Sequence, residues 1–306
     1  MTPKLTRRGL LASAAATPLA GLAVSGVQAQ AAQQGINTTD YRRVKLGDFE
    51  VTTLLAGTRT VPDPQTIFGL NASEEEFAAA SQQAHIPTDK AQFFFTPTLV
   101  NTGSELVLFD TGLNPEGITA ALEAAGHAPG DIDVVVLTHM HGDHIGGLAG
   151  EAGTTFANAR YVTGATEFDY WSNAGNDGFE AKVRPLAEQM EMLSGGDSVA
   201  SGIEAVEAFG HTPGHMAYRL ESGGQNLIIG ADFANHYVWS LAHPEWEVKF
   251  DMDKSAAAAT RKELLDMMAA DRLPFIGYHM PFPAIGYVEA RDGGYHYTPM
   301  SYQLML

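Results

Sequence analysis

The stretch THMHGDHIGG at residues 138–147 crowds three histidines and one aspartate into six positions, in a chain with 11 histidines among 306 residues. It directly follows IDVVVL at residues 132–137, a β-branched run that predicts a strand buried on both faces. On an extended segment, side chains two positions apart point to the same side, so His139 and His141 can face one point. This spacing just beyond a buried strand predicts two ligands of a transition metal.

The next residues extend the same ligand set. Gly142 permits a sharp turn, after which we expect Asp143 and His144 to begin a helix and face back toward the same centre. Imidazole suits zinc, iron and related metals, and a carboxylate adds a harder ligand. The segment therefore predicts one half, at least, of a metal site.

Three further polar residues stand at the ends of predicted strands. His211 lies in GHTPGH, Asp232 in IIGADF and His279 in FIGYHM, each close to an apolar run. Any one of them alone has an equally good structural explanation. Taken together and in this order, they supply the ligands that residues 138–147 lack.

The charge balance argues against polyanionic partners. Asp and Glu number 36 against 18 Lys and Arg, which gives a formal net charge of −18. Such a chain repels phosphate backbones and anionic lipid surfaces, so we expect no nucleic-acid partner. The chain has no cysteine, so no disulfide can stabilise it.

Residues 1–29 differ from the rest, with three basic and no acidic residues, a weakly apolar middle and a small-residue end. The pair Arg7-Arg8 in TRRGLL is similar to a twin-arginine export signal. We expect cleavage before Gln30, or two residues later, and a periplasmic or secreted protein with no stable membrane association after cleavage. An uncleaved anchor is the alternative. Residues 30–40 are polar and predict a flexible segment.

From residue 41 to 306 we find no linker or repeat, which predicts one domain. Strands come in runs first, with helices interspersed later, a pattern that predicts an α/β (α+β) fold of two mixed sheets with helices outside. The pattern predicts, among others, one strand over residues 93–100 and helices over 74–83, 117–125 and 254–270.

At this point the chain resembles the metallo-β-lactamase superfamily, in the phrases LGDFEVTTL, LVLFDTG, THMHGDHIGG, GHTPGH and GADF and in the final histidine. Several of these phrases are most similar to the methyl parathion hydrolase-like branch. The resemblance implies a four-layer αββα sandwich carrying two divalent metal ions. It implies one metal on His139, His141 and His211, the other on Asp143, His144 and His279, and a bridge by Asp232.

The resemblance also implies the chemistry. A hydroxide bridging the two metals would attack an ester or lactone carbonyl, and organophosphate triesters are a further substrate class. Zinc is the default metal, with manganese, cobalt or iron as alternatives. Asp110 and His215 are candidates for orienting the ligands, and Asp143 is a candidate proton shuttle.

The substrate is less constrained. Phe94, Trp171 and Phe179 are candidates for an apolar pocket, which would favour a small hydrophobic ester, lactone or phosphotriester. The resembling lactonases carry a tyrosine three residues after the bridging aspartate. Here that position is Asn235, with Tyr237 near, which departs from the lactonase pattern and argues against a quorum-quenching lactonase. Asn235 and Tyr237 are also candidate pocket residues. A homodimer is implied by the resembling branch alone.

Two other function classes stay open. A mono-iron oxidoreductase of the persulfide dioxygenase type would leave the second metal position unfilled, whereas this chain carries a complete second set. A non-catalytic periplasmic metal-binding protein would keep the ligands and lack a pocket. Metal content and turnover of model substrates distinguish these classes from a hydrolase.

Overall fold

The computed structural model of the protein describes residues 38–301. The predicted signal peptide, residues 1–29, lies outside the described residues, as does the part of segment 30–40 that precedes Thr38. Residues 38–40 lead without regular structure into the first strand. In the described part of the chain, no helix combines the length and the apolarity that a membrane span requires.

Two seven-stranded sheets form the centre of the fold. The first is antiparallel across its first four strands and parallel across the rest; in spatial order it contains β1 (Tyr41–Leu46), β2 (Phe49–Leu54), β5 (Thr98–Asn101), β6 (Leu106–Phe109), β7 (Val134–Leu137), β10 (Arg160–Gly164) and β11 (Met190–Leu193). The second is antiparallel except between its fourth and fifth strands; it contains β12 (Ser198–Ala200), β13 (Ile203–Glu207), β14 (Met216–Ser222), β15 (Gln225–Ala231), β16 (Phe275–Gly277), β17 (Ile285–Arg291) and β18 (Gly294–Pro299). Two small hairpins pair β3 (Gly57–Pro62) with β4 (Lys90–Phe95), and β8 (Ala149–Gly150) with β9 (Gly153–Thr154).

Seven α-helices are present in the described residues. They are α1 (Glu74–Gln83), α2 (Pro115–Ala124), α3 (Gly142–Ile145), α4 (Ala165–Asn173), α5 (Asp177–Lys182), α6 (Trp239–Ala242) and α7 (Lys254–Asp271), with short 3-10 turns at Pro64–Thr66, Pro129–Asp131 and Arg184–Gln189. Four of these helices (α1, α2, α5 and α7) begin at a side-chain cap. Ser73 forms a capping box with Glu76, and Asp253 accepts from the N–H of Ala256 at 2.9 Å. The predicted bounds of α1 are confirmed.

The central strand β7 shows how the layers arise. Its side chains alternate with the period of two that a strand imposes. Val134 and Val136 pack into the core between the two sheets, whereas Val135 and Leu137 pack on the other face with Ile118 of α2. On the far side of the second sheet, α7 packs against β17. The result is an α/β sandwich of sheets and helices, as predicted.

Two local predictions need correction. The single strand expected over residues 93–100 is two strands, because Pro97 lacks the N–H that a continuous strand would need. β4 lies outside the first seven-stranded sheet and pairs with β3, whereas β5 belongs to that sheet and pairs with β2. The helix expected to begin at Gly117 begins at Pro115, since Asn114 caps it. The sequence pattern did not predict the strands β3, β8, β9, β11 and β12 or the helices α4, α5 and α6.

Candidate metal centre

All seven predicted ligands lie at element ends or connections, and the structure brings their side chains together. His139 and His141 follow β7, and Asp143 and His144 lie in α3. His211 lies between β13 and β14, Asp232 follows β15, and His279 follows β16. Site residues at strand ends are expected, because a rigid sheet positions the connections that follow it.

The first cluster consists of three imidazoles. His141 Nδ1 lies 3.1 Å from His139 Nε2 and 3.0 Å from His211 Nε2. Three ring nitrogens pointing at one small volume are the donor set of a three-histidine metal position.

The second cluster mixes charge types. Asp143 Oδ2 lies 3.7 Å from His144 Nε2 and 3.3 Å from His279 Nε2. These three atoms form a second group with the spacing of metal ligands.

Asp232 joins the two clusters. Its Oδ2 lies 3.4 Å from His211 Nε2 and 3.2 Å from His279 Nε2, and its Oδ1 lies 3.4 Å from His144 Nε2. One carboxylate thus reaches both groups, which is the position of a bridging ligand. Asn235, a candidate pocket residue, is buried behind it and donates from Nδ2 to Asp232 Oδ2 at 2.9 Å.

Two buried atoms, one on a ligand ring and one on the joining carboxylate, are suited to binding a cation. Among the described residues, neither His144 Nε2 nor Asp232 Oδ1 has a hydrogen-bond partner. Leaving such atoms unsatisfied is costly in a protein interior. A divalent cation between them would satisfy both, so the donor set fits the metals that the sequence predicts.

Hydrogen bonds on the outer ring edges fix the tautomers. Asp110 Oδ2 accepts from His144 Nδ1 at 2.8 Å, and the carbonyl of Phe94 accepts from His279 Nδ1 at 2.9 Å. Because Nδ1 keeps its proton in this hydrogen bond, the inner Nε2 is the nitrogen that can present a lone pair to a cation.

His139 is oriented by Asp110 as well, but indirectly, through the hydroxyl of Thr138. Thr138 donates its one hydroxyl proton to Asp110 Oδ2 at 2.8 Å, so it must accept from His139 Nδ1 at 3.1 Å. Asp110 therefore supports a ligand in each cluster. Its φ of 61° is left-handed, an unfavourable conformation for a residue with a Cβ, and Ala231 next to Asp232 has a φ of 49°.

Charge divides the site into two parts. Burial lowers the pKa of His139 well below its usual value and that of His141 to about 3, so both rings are neutral. Burial also lowers the pKa of His144 and His279, but the carboxylates, with Asp232 foremost, outweigh it. They raise the pKa of His279 to about 10 and that of His144 well above its usual value. In the metal-free protein, the protonated rings of His144 and His279 therefore balance the negative charge of the neighbouring carboxylates.

Two buried supports were missed by the sequence reading. Glu167 accepts from the N–H of Met140 at 3.0 Å and from the hydroxyl of Thr212 at 2.7 Å, which ties the first histidine segment to the His211 segment. Asp251 Oδ1 accepts from His211 Nδ1 at 2.8 Å. Their only signal was acidic character, which they share with many exposed residues of this chain.

A buried arginine completes this second support. Arg261 of α7 is fully buried and donates from Nη2 to Asp251 Oδ2 at 2.6 Å. It also donates to the carbonyls of Phe233 and Pro244. His215, expected to orient a ligand ring, instead accepts at Nε2 from the backbone N–H of Asp232 at 3.1 Å.

A cavity of about 420 Å³ lies beside His279, and only some of the predicted pocket residues line it. Phe94 and Tyr237 line it. Trp171 lies on the other side of the site, 5.9 Å from the His141 ring, and donates to Glu167. The expectation for Phe179 needs correction: this ring is fully buried in the core, because α5 turns it inward between the helices and the first sheet.

The sandwich and its seven converging side chains define an α/β protein with adjoining His/Asp groups that could hold divalent metal ions. The sequence profile of the Metallo-beta-lactamase superfamily matches residues 96–279, and the chain belongs to this superfamily. Its members among the relatives include hydrolases, lactonases and nucleases.

Solved structures with the same fold cover nearly the whole of their own chains. AidC, described as a dizinc quorum-quenching lactonase with bound product, has a TM-score of 0.79 at 24% identity, over 86% of this chain and 98% of AidC. The hydrolase AbOPH of the beta lactamase superfamily has a TM-score of 0.81 at 23% identity, over 87% and 99%. At these identities the likeness establishes the fold.

Curated relatives are more distant. The Beta-lactamase-like protein 2 homolog of Drosophila melanogaster is 29% identical over 41% of this chain and 42% of its own length. An N-acyl homoserine lactonase of Bacillus sp. is 25% identical over 53% of this chain and 61% of its own length. The chain thus spans less than two thirds of the length of these relatives.

Proposed function

We propose that this protein is a dinuclear metal-dependent hydrolase of small, neutral, apolar carbonyl esters, with lactones as the foremost class. The observation that carries the proposal is the pair of ligand clusters joined by Asp232, whose carboxylate lies within 3.4 Å of ligand nitrogens in both. The lactonases among the relatives support the choice of substrate class.

Two bound cations would generate a nucleophile from water near neutral pH and polarise the carbonyl that it attacks. The chain's own residues prepare the site for this. Asp110 and the Phe94 carbonyl accept from the outer Nδ1–H of His144 and His279, which aims the inner Nε2 of each ring at the site and makes it the nitrogen that loses its proton when a cation binds. Asp143, partly exposed beside His279, is placed to take up a proton during turnover.

The surroundings of the site favour an uncharged substrate. The cavity beside His279 has mostly apolar walls, including Ile86, Phe94 and Trp239. A net charge of −18 disfavours polyanions such as nucleic acid, although nucleases occur among the relatives. Phosphotriesters, which are neutral and apolar, are a secondary substrate class under this proposal.

We further propose that the protein is exported by the twin-arginine pathway and acts in the periplasm or outside the cell. Support comes from the arginine pair and small-residue end of residues 1–29. Zinc is the proposed metal, since five imidazoles and two carboxylates suit it. A homodimer stays a prediction from the resembling branch.

The test is a substrate screen of the purified, metal-loaded protein with lactones, p-nitrophenyl acetate, methyl paraoxon and single-stranded DNA. We expect turnover of lactones and esters, weaker turnover of the phosphotriester and none of DNA. His141→Ala should abolish turnover, whereas His127→Ala, a control outside both clusters, should retain it. Full activity of His141→Ala would refute the proposed mechanism.

Elemental analysis distinguishes the proposed hydrolase from a mono-iron oxidoreductase and from a non-catalytic metal-binding protein. We expect about two metal ions per chain, as a two-metal site requires. A single iron would favour the mono-iron oxidoreductase, and bound metal without turnover of any ester would favour a binding protein.

A further inference from the structure

One buried histidine outside the ligand clusters faces the cavity. His236 is 8% exposed and lines the cavity together with His279. Its Nδ1 accepts from the backbone N–H groups of Val238 and Trp239, both at 3.2 Å. Because a backbone amide can only donate, Nδ1 is the unprotonated nitrogen, and the neutral ring carries its proton on Nε2.

The ring of His236 is held rigidly. It stacks on the Trp239 indole, with centroids 3.9 Å apart and planes 18° from parallel, and it contacts Phe68 at 5.3 Å. Within residues 38–301, no protein acceptor meets its Nε2–H. Burial lowers the pKa of His236 to about 3, so the ring stays neutral at working pH. The cavity therefore contains a fixed, neutral, unused hydrogen-bond donor.

This donor lies apart from the ligand clusters. A chain of ring contacts separates it from His279: Phe93 lies 5.3 Å from His279, Phe68 lies 5.8 Å from Phe93, and His236 lies 5.3 Å from Phe68. A substrate whose scissile carbonyl sits at the ligand clusters would therefore meet His236 with a different part of the molecule. Apolar residues such as Ile86 and Ala91 form most of the remaining lining of the cavity, and Thr60, Lys90 and Gln92 are its polar members.

We propose that His236 Nε2–H donates to a carbonyl oxygen of the substrate away from the scissile bond, so that the preferred substrate is an apolar acyl chain bearing a neutral acceptor, such as an amide. This inference rests on the proposed lactone or ester hydrolysis. A neutral donor in an apolar wall favours an uncharged acceptor, because burying a charge there would cost far more. His236 is thus a specificity-determining residue.

The experiment crosses two substrates with two variants. The substrates are an N-hexanoyl-amino-γ-butyrolactone and an alkyl-γ-butyrolactone of equal length, in which methylenes replace the amide. His236→Asn keeps an oxygen that can accept from the two backbone N–H groups, but its amide is too short to reach into the cavity. His236→Gln places an amide N–H donor near the position of the ring Nε2–H but loses the acceptor at the Nδ1 position.

We expect wild type to prefer the amide-bearing lactone in kcat/KM by about three- to tenfold, mainly through KM, as one neutral hydrogen bond supplies. His236→Asn should abolish this preference and His236→Gln should restore part of it. A purely structural role would lower activity on both substrates alike and leave their ratio unchanged.

The results separate this inference from the proposed function. Hydrolysis of both lactones at equal kcat/KM by wild type, or an unchanged ratio in His236→Asn, would overturn the role of His236 and leave the hydrolase proposal intact. Hydrolysis of neither lactone by the metal-loaded protein would overturn both.

Discussion

The buried pair of Arg261 and Asp251 gives the sharpest test of how the fold supports the metal centre. Their side chains are each 1% exposed, and Arg261 Nη2 lies 2.6 Å from Asp251 Oδ2. We predict that Arg261→Met lowers the free energy of unfolding by about 3–5 kcal/mol, because it leaves a buried carboxylate without its counter-charge. It also removes the donors to the carbonyls of Phe233 and Pro244.

The measurement is urea denaturation of chelator-treated protein, so that metal binding does not contribute to stability. The exposed neighbour Lys262 supplies the control, since Lys262→Met should change stability by less than about 0.5 kcal/mol. In the double variant Asp251→Asn/Arg261→Met, the loss should fall short of the sum of the single losses by about 1–3 kcal/mol. Additive losses, or a loss below about 1 kcal/mol in Arg261→Met, would refute the reasoning.

The same pair should influence metal affinity. Asp251 Oδ1 accepts from His211 Nδ1, so Asp251→Asn removes the carboxylate that orients one ligand ring and raises its basicity. We expect a loss of about 10- to 100-fold in metal affinity for Asp251→Asn, measured by competition with a chromophoric chelator. Equal affinities of wild type and variant would contradict an orienting role.

Three further outcomes are expected. Metal binding at neutral pH should release about two protons per chain, because His144 and His279 have raised pKa values in the metal-free protein and must lose their protons to bind. Calorimetry in buffers of different ionisation enthalpy measures the number of protons released. Release of no protons would contradict the prediction. The pKa of His236 falls from 6.5 unfolded to about 3 folded, so below pH 6.5 only the unfolded chain takes up this proton. Between about pH 7 and pH 5 the wild type should therefore lose about 2 kcal/mol more unfolding free energy than His236→Gln, and equal losses would argue against a buried neutral ring. Ser73→Ala, which removes the α1 capping box, should cost about 1 kcal/mol in urea denaturation, and an unchanged midpoint would refute the cap.

Sequence alone determined the parts of this protein that depend on short-range pattern. The mostly β-branched run at residues 132–137 predicted a buried strand, which the structure places at Val134–Leu137, and His139 and His141 follow it as the pattern predicted. Ser73 with Glu76 is a local capping signal, so α1 begins and ends as predicted. The ligand residue types at element ends predicted the seven side chains that the structure places together.

Tertiary structure decided whatever depends on residues far apart in the sequence. Asp251 supports His211 from 40 positions away, and Arg261 is buried in a helix where a basic residue would ordinarily be exposed. Phe179 and Tyr237 were equivalent as aromatic candidates, yet one packs in the core and the other lines the cavity. Periodicity fixes which face of an element is apolar, but which element covers that face depends on how the two sheets and their helices pack.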